Sequence, residues 1–225
     1  MDTLLAELDA ALSGMRGAPA ARLRALRREY SRRLAAAPPQ SVVRLALRLL
    51  AGGGIARRFV AYELVHHHRA ALAGLRVGSL ERLGRGLDGW GAVDTFACYL
   101  AGPAWRERQV GDAVIRRWAR SRDRWWRRAA LVSTVPLNSR ARGGAGDTPR
   151  TLALCRLLIA DRDDMVVKAM SWALREVAKR DPAAARRFLR EHRDELAPRV
   201  LREVGNKLAT GLKNPRRRAA PGGRG

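Results

Sequence analysis

The chain has 225 residues, with 45 Lys and Arg against 21 Asp and Glu, which gives a formal net charge of +24. Because 47% of the residues are apolar, the chain can bury a core, and general disorder is excluded. At this length we expect one large domain or one continuous repeat array. No run of about 18 apolar residues is present, so we predict no transmembrane helix.

Nearly every segment repeats its apolar residues at the helical spacing, beginning with the leucine stripe of residues 4–12. Ser41 precedes an apolar run and is a candidate N-cap, and the glycines at 52–54 end that run. Residues 138–150 contain three glycines together with Asn, Ser, Asp and Pro, which predicts a loop. No alternating pattern typical of a strand is present. We therefore predict an all-α fold, with helices near 4–12, 20–36, 42–50, 55–72, 79–87, 90–102, 105–121, 123–137, 151–159, 163–180, 182–192 and 201–212.

The helices also repeat along the chain. The segment from Asp123 to Ala129 aligns with the segment from Asp163 to Ala169 at an offset of 40 residues, and residues 55–58 fit more loosely. In both, an Asp stands five residues before a cation that is followed by Ala. A period near 40 is typical of HEAT-type helical repeats. We predict a HEAT-like solenoid with a concave basic DNA-binding groove, the alternative being an ordinary helical bundle.

The domain prediction follows from the charge distribution. We expect a single repeat domain over 1–213 and a basic, disordered tail over 214–225, which has four arginines and no acid. Most of the positive charge therefore belongs to the folded part. Residues 1–12 are acidic where a signal peptide is positive, so we expect a cytoplasmic protein, associated with the nucleoid through DNA.

A surplus of cations this large indicates a polyanionic partner, because cations displace the counterions condensed on phosphates. The alternative is a GC-rich genome, which explains why Arg outnumbers Lys but not why Asp and Glu fail to balance it. An anionic membrane is disfavoured because no single amphipathic stretch concentrates the charge with bulky apolar residues. We therefore expect nucleic acid as the partner and no membrane association.

Metal and disulfide chemistry are not indicated. Cys98 and Cys155 lie in apolar helical stretches without a nearby Cys, which predicts buried free thiols. Three consecutive histidines at 66–68 point about 100° apart on a helix and lack a further ligand at the next turn. We therefore predict no metal site and no cofactor.

Several residues are open to two interpretations. Trp90 and Asp94 stand at i and i+4 and share one helix face, yet a core indole and a helix-start acid are both common. Arg128 is either a DNA contact or the cation of an ion pair between helices, with Asp123 as a candidate partner. Trp172 is either a packing residue or a ligand contact. The hydroxyl of Tyr30 either approaches a phosphate or belongs to an aromatic on the helix surface.

Taken together, the motifs GWGAVD, RWWRRAAL and KAMSWALREVAK occur in an order that resembles the AlkD-type bacterial DNA alkylation repair glycosylases, over about residues 40–210. That family is built of HEAT-like repeats and removes alkylated purines from duplex DNA. The resemblance implies that Asp94 is the catalytic carboxylate and that Trp90 and Trp172 flank the sugar of the damaged nucleotide. It implies that Arg128 contacts DNA beside that carboxylate. The further DNA contacts expected are Tyr30, Arg127 and Lys168.

This resemblance predicts a DNA glycosylase that acts on duplex DNA with alkylated bases. Only Lys168 and Lys179 lie near the motifs, so we expect no Schiff-base lyase activity and a monofunctional enzyme. The oligomeric state stays open, although a groove that must admit a duplex favours a monomer. Because N3- and N7-alkylated purines are cationic, they leave without a general acid, and a carboxylate can stabilise the sugar cation that develops. The resemblance also implies action without base flipping. The alternatives are a catalytically silent repeat protein that grips nucleic acid and a solenoid that binds acidic proteins. The sequence does not distinguish simple methylpurines from bulky adducts as the substrate. It also does not distinguish general repair from self-resistance as the biological role.

Overall fold

The computed structural model describes residues 1–15 and 17–215, and the regular structure in these residues is entirely helical. The predicted all-α fold is therefore confirmed. The helices are α1 (Asp2–Ser13), α2 (Ala20–Arg33), α3 (Pro39–Ala51), α4 (Ile55–His67), α5 (Arg69–Ala73), α6 (Val77–Leu83), α7 (Trp90–Phe96), α8 (Gly102–Arg106), α9 (Asp112–Ala119), α10 (Arg124–Val132), α11 (Val135–Asn138), α12 (Thr148–Leu157), α13 (Asp164–Arg180), α14 (Pro182–Glu191) and α15 (Pro198–Thr210).

Two boundaries near the N-terminus differ from the prediction. Helix α3 begins at Pro39 with Pro38 as its N-cap, so the prediction that Ser41 caps the helix was wrong. Proline suits the first helical position because its missing N–H has no partner there in any helix. The predicted helix over 55–72 is broken at His68, whose side chain accepts a hydrogen bond from the backbone N–H of Ala71 and starts α5.

The predicted helices over 90–102 and 105–121 also divide differently. Helix α7 continues through a π-helical turn, Ala97–Ala101, directly into α8. A Cβ on Gly102 would lie 2.7 Å from both the ring of Pro136 and the carbonyl oxygen of Ser133, so glycine permits the close approach of α8 to α11. Helix α8 ends at Arg106, and Arg108 in the turn that follows has a positive φ of 57°. A new helix, α9, starts only at Asp112.

Six helices form a central row in which each packs against the next: α2, α4, α7, α10, α13 and α15. Most of the remaining helices pack against members of this row, whereas α6 packs on α3, and α8 packs on α11 and on the π-helical turn. Helix α3 contacts α4, α9 contacts α10, and α12 and α14 contact α13. One apolar cluster runs from Leu8 in α1 to Val204 in α15. This layered stacking of successive helices is the arrangement of a helical repeat solenoid.

The 40-residue repeat has a structural cause. Asp123 and Asp163 are the N-caps of α10 and α13, and each Oδ1 accepts a backbone N–H two residues later, at 2.8 and 2.9 Å. Capping by Asp fixes the start of a helix by satisfying one of its free donors. Asp123 makes no contact with Arg128, which pairs with Asp94 instead, so Asp123 as the candidate partner of Arg128 was wrong.

The described residues contain no helix long and apolar enough to cross a membrane. The predicted tail over 214–225 lies outside the described residues from position 216 onward. The division into a domain over 1–213 and a tail therefore stays a prediction.

The cap at Asp123 gives a stability prediction. We expect Asp123→Ala to lower the free energy of unfolding by about 1 kcal/mol, because it leaves a backbone donor of α10 without its acceptor. Asp123→Asn should restore most of the loss, since Asn is an equally good N-cap. Urea unfolding followed by circular dichroism measures both variants. Asp194→Ala removes an exposed carboxylate and is the control; an equal loss in this variant would contradict the cap.

Candidate active site and nucleic-acid interface

A bidentate ion pair between α7 and α10 lies at the centre of the candidate site. The Nε of Arg128 donates to Asp94 Oδ1 at 2.9 Å, and an Nη donates to Oδ2 at 2.8 Å. The Arg128 side chain is 7% exposed and that of Asp94 is 18% exposed. Parallel hydrogen bonds of this kind fix the plane of the carboxylate as well as its position.

The same guanidinium reaches a third helix. The other Nη of Arg128 donates to the backbone carbonyl of Met165, in the first turn of α13, at 2.5 Å. Arg128 therefore ties α7, α10 and α13 together around Asp94. The prediction that Arg128 belongs to an ion pair between helices is confirmed, with Asp94 as its partner.

The electrostatics of Asp94 reflect its partial burial. Burial raises the pKa of Asp94 above the ordinary range, and the hydrogen bonds and charge of Arg128, followed by the charge of Arg142, oppose that rise in part. A carboxylate with few waters around it interacts more strongly with a nearby cation than one in bulk water. Asp94 is thus fixed, shielded and still partly accessible.

Trp90 is the first residue of α7, one turn before Asp94, and its side chain lies on the same face. It is 63% exposed. The preceding Gly89 has an extended backbone and is the N-cap, and Gly91 has open space around it. An indole this exposed, one turn from a half-buried carboxylate, offers a large apolar surface to a ligand.

Trp172 is partly buried on α13 and its indole edge is held by a residue that the sequence reasoning missed. Its Nε1 donates to Glu176 Oε1 at 3.3 Å, and Lys179 also donates to that oxygen at 2.6 Å. Glu176 is only 6% exposed, and its Oε2 has no hydrogen-bond partner among the described residues. The i, i+4 spacing of Trp172 and Glu176 places both side chains on one helix face, and this spacing could have predicted their contact.

The other predicted DNA contacts are already engaged within the protein. Arg127 donates to Asp161 at 2.7 Å and to two backbone carbonyls, and Lys168 pairs with the exposed Asp164 at 2.6 Å. Arg127 is therefore mainly a structural residue, whereas Lys168 is nearly two-fifths exposed and can exchange its partner. Their roles in DNA binding remain predictions.

Tyr30 is only 4% exposed and lies in the core beneath the guanidinium of Arg33. The interpretation of Tyr30 as an aromatic on the helix surface was wrong, because α2 turns this side chain toward the apolar cluster. Its role as a DNA contact stays a prediction.

Cys98 and Cys155 are free and buried, as predicted, and burial raises the pKa of each thiol to about 12. The three histidines have separate surroundings. The ring of His66 stacks on Tyr99, and His68 caps α5. No group of three or more possible metal ligands occurs in the part of the chain that the structure describes.

The fold and the site define a helical-repeat protein that presents a fixed carboxylate and an exposed indole amid a large excess of arginine. A family model for DNA alkylation repair enzymes matches residues 13–208, and the chain belongs to this family. Membership implies that the protein binds DNA. A comparison with curated proteins gives no match.

The ion pair gives the prediction for this site. Arg128→Met keeps most of the side-chain volume and leaves the Asp94 carboxylate without its partner. We expect a loss of about 3 kcal/mol in the free energy of unfolding, the typical cost of breaking a buried pair from one side. Adding Asp94→Asn should recover part of that loss, because it removes the unpaired charge. Chemical unfolding of the two single variants and the double variant measures the coupling; strictly additive losses would contradict it.

Proposed function

We propose that this protein is a monofunctional DNA glycosylase that excises cationic N3- and N7-alkylated purines from duplex DNA by hydrolysing the N-glycosidic bond. The observation that carries the proposal is the Asp94 carboxylate, which Arg128 fixes in plane while part of it stays accessible beside the exposed Trp90. Membership in the family of DNA alkylation repair enzymes supports alkylated DNA as the substrate. The fixed carboxylate of Asp94 supports hydrolysis of the N-glycosidic bond as the reaction.

The chemistry needs little more than a placed negative charge. An N7-alkylated guanine is already cationic, so the bond from N9 to C1′ breaks with its electron pair going to the purine, which leaves as a neutral base. The sugar becomes a cation that the Asp94 carboxylate stabilises. Water then adds at C1′ and releases its proton to solvent. The indole faces of Trp90 and Trp172 add cation–π attraction to the sugar cation.

Arg128 is in this account a positioning residue. Its guanidinium is nearly buried, with one Nη and the Nε on Asp94 and the other Nη on Met165. It therefore acts on the substrate through the carboxylate. Glu176 does the same for Trp172, because it accepts the indole N–H and limits rotation of the ring.

The lysines near the site support hydrolysis over a lyase reaction. A Schiff-base mechanism needs an uncharged lysine amine. Lys168 is paired with Asp164 and Lys179 with Glu176, each at 2.6 Å, so a carboxylate already engages each amine. We accordingly propose a monofunctional enzyme.

We propose further that the enzyme works without drawing the base into a pocket. Trp90 and Asp94 are presented at the start of a surface helix and suit attack on the sugar from outside the stack. The same proposal includes HEAT-like repeats, a concave basic surface for the duplex, a monomeric protein and a place in the cytoplasm on the nucleoid. Arginine contacts to phosphates would give affinity without reading the sequence.

The direct test is release of base from a duplex that contains N7-methylguanine or N3-methyladenine. We expect release by the wild type, and a loss of at least about 100-fold for Asp94→Asn, because an amide keeps the shape but not the charge that the sugar cation needs. Asp194→Asn removes an exposed carboxylate on the loop after α14 and serves as the matched control.

Release by Asp94→Asn at the wild-type rate would refute the role of Asp94. The wild type could also release neither methylpurine while its duplex binding stays sensitive to salt. In that case either the substrate is a bulkier adduct or the protein binds DNA without catalysis. A bulkier cationic adduct is the next substrate, and failure with that adduct would favour the silent DNA-binding protein.

A second prediction concerns the charge of the damaged base. O6-methylguanine is neutral and needs a proton before it can leave, and Asp94, tied to Arg128 through both oxygens, is a poor proton donor. We expect the wild type to release N7-methylguanine but not O6-methylguanine from the same sequence context. Chromatography of the freed bases measures both; comparable release would contradict catalysis by the fixed anion alone.

A further inference from the structure

A cleft of about 580 Å³ opens beside the Asp94 site. It is bounded by α2, by the end of α4, by the π-helical turn after α7 and by the loop at 139–147, with Arg24, His66, Cys98, Tyr99 and Arg142 among its lining. Cys98 follows Asp94 by one helical turn, so the cleft begins about 6 Å further along the same helix. The cleft has no assigned role in the reaction described above.

The floor of the cleft is rigid. The His66 ring stacks on Tyr99 with centroids 4.7 Å apart, and His66 Nδ1 lies 2.9 Å from the Tyr99 carbonyl oxygen. Burial lowers the pKa of His66 and so disfavours the charged form of this ring. Arg24 lines the same cleft, and Glu63 and then the Tyr99 hydroxyl raise the pKa of its guanidinium.

One buried carboxylate orients two arginines at the wall of the cleft. Glu63 is 1% exposed, and its two oxygens accept from the Nε of Arg24 and the Nε of Arg27, each at 3.0 Å. Each guanidinium thus donates its Nε–H to Glu63 and keeps its Nη groups for other acceptors. Arg24 is the more exposed of the two and lies with its guanidinium over the Phe59 ring.

Arg142 adds a cation from the opposite wall. Its guanidinium lies 5.8 Å from the Tyr99 ring centroid, and no ion pair among the described residues includes it. The loop that carries it is fastened at two points, because Arg106 donates to the Arg142 carbonyl at 2.8 Å and Arg180 to the Asn138 carbonyl at 2.7 Å. The backbone that carries Arg142 is therefore anchored, whereas its guanidinium makes no hydrogen bond or ion pair among the described residues.

The cleft has three guanidinium groups against one carboxylate, in contrast to Arg127 and Arg128, which each have a carboxylate of their own. Arg142 is also close enough to Asp94 and to Cys98 that its charge lowers the pKa of both groups, against the larger effect of burial. An anion bound by Arg142 in the cleft would therefore lie near the Asp94 carboxylate. Guanidinium groups bind phosphate oxygens with parallel hydrogen bonds.

We propose that this cleft binds the backbone phosphate next to the damaged nucleotide, with Arg142 and Arg24 as its ligands and Glu63 as the residue that positions Arg24. This inference rests on the proposed function for the identity of the neighbouring nucleotide. The phosphate contact sets the register of the strand, so that the sugar of the damaged nucleotide faces Asp94. It also offsets the positive charge of Arg142, which would otherwise repel the sugar cation.

The test uses Arg142→Gln, with Arg186→Gln as the matched control on α14, where the arginine is exposed and outside the cleft. Fluorescence anisotropy gives the dissociation constant for undamaged duplex over a range of salt concentrations. We expect the slope of log affinity against log salt to fall by about 1 for Arg142→Gln and to stay unchanged for Arg186→Gln. Thermal unfolding checks that both variants are folded.

A second arm locates the phosphate. The duplex carries a tetrahydrofuran abasic analogue, with a single neutral methylphosphonate at the phosphate on its 5′ or its 3′ side. We expect one of these substitutions to weaken binding about tenfold in the wild type and in Arg186→Gln, but to have no effect in Arg142→Gln, because the contact is already lost.

Equal salt slopes for the two variants would overturn the proposal, as would a methylphosphonate effect of the same size in both. These measurements need no base release. A protein that shows the expected slope and methylphosphonate effects but excises nothing would therefore contradict the proposed glycosylase function and leave the phosphate site standing.

Discussion

The arrangement of this site depends on one buried ion pair. Asp94 on α7 and Arg128 on α10 share two hydrogen bonds, and Arg128 adds a third to the first turn of α13. Removing two charges from water is costly, so such a pair contributes little net stability, but breaking it from one side is strongly destabilising. The role of this ion pair is to fix the position of the Asp94 carboxylate. Three successive members of the central row are locked around one carboxylate, which cannot rotate away when a cation approaches it.

The excess of arginine serves two purposes that the sequence alone does not separate. Many arginines hold the protein together: Arg57 pairs with Asp9 of another helix, Arg127 with Asp161, and Arg180 reaches carbonyl oxygens of the loop after α11. An arginine can neutralise a phosphate at little cost to the fold where it has no carboxylate of its own, or where it shares one, as Arg24 and Arg27 share Glu63. The net charge of +24 therefore explains why DNA is attracted, whereas Arg142 and Arg24 indicate where a strand can be held in register.

Much of this structure follows from the sequence because the pattern that favours a helix lies within a short stretch of the chain. Apolar spacing predicted the all-α class and most of the helices, and the Asp at 123 and 163 marked equivalent helix starts. What the sequence could not give depends on tertiary contacts. The partner of Arg128 lies 34 residues away on another helix, Tyr30 faces the core because of how α2 packs, and Arg142 lies in a loop whose polar composition says nothing of its anchoring. The break at His68 required knowing that a His side chain caps the next helix.

The central claim is that Asp94 stabilises positive charge on the sugar, and binding of a charged sugar mimic tests it most directly. Two duplexes are compared, one with a cationic pyrrolidine in place of the damaged nucleotide and one with neutral tetrahydrofuran. The account predicts that the wild type binds the cationic duplex at least about 100-fold more tightly, as enzymes bind analogues of their transition states. Asp94→Asn should lose most of that preference and keep its affinity for the neutral duplex. Equal affinity of the wild type for the two duplexes would contradict the account.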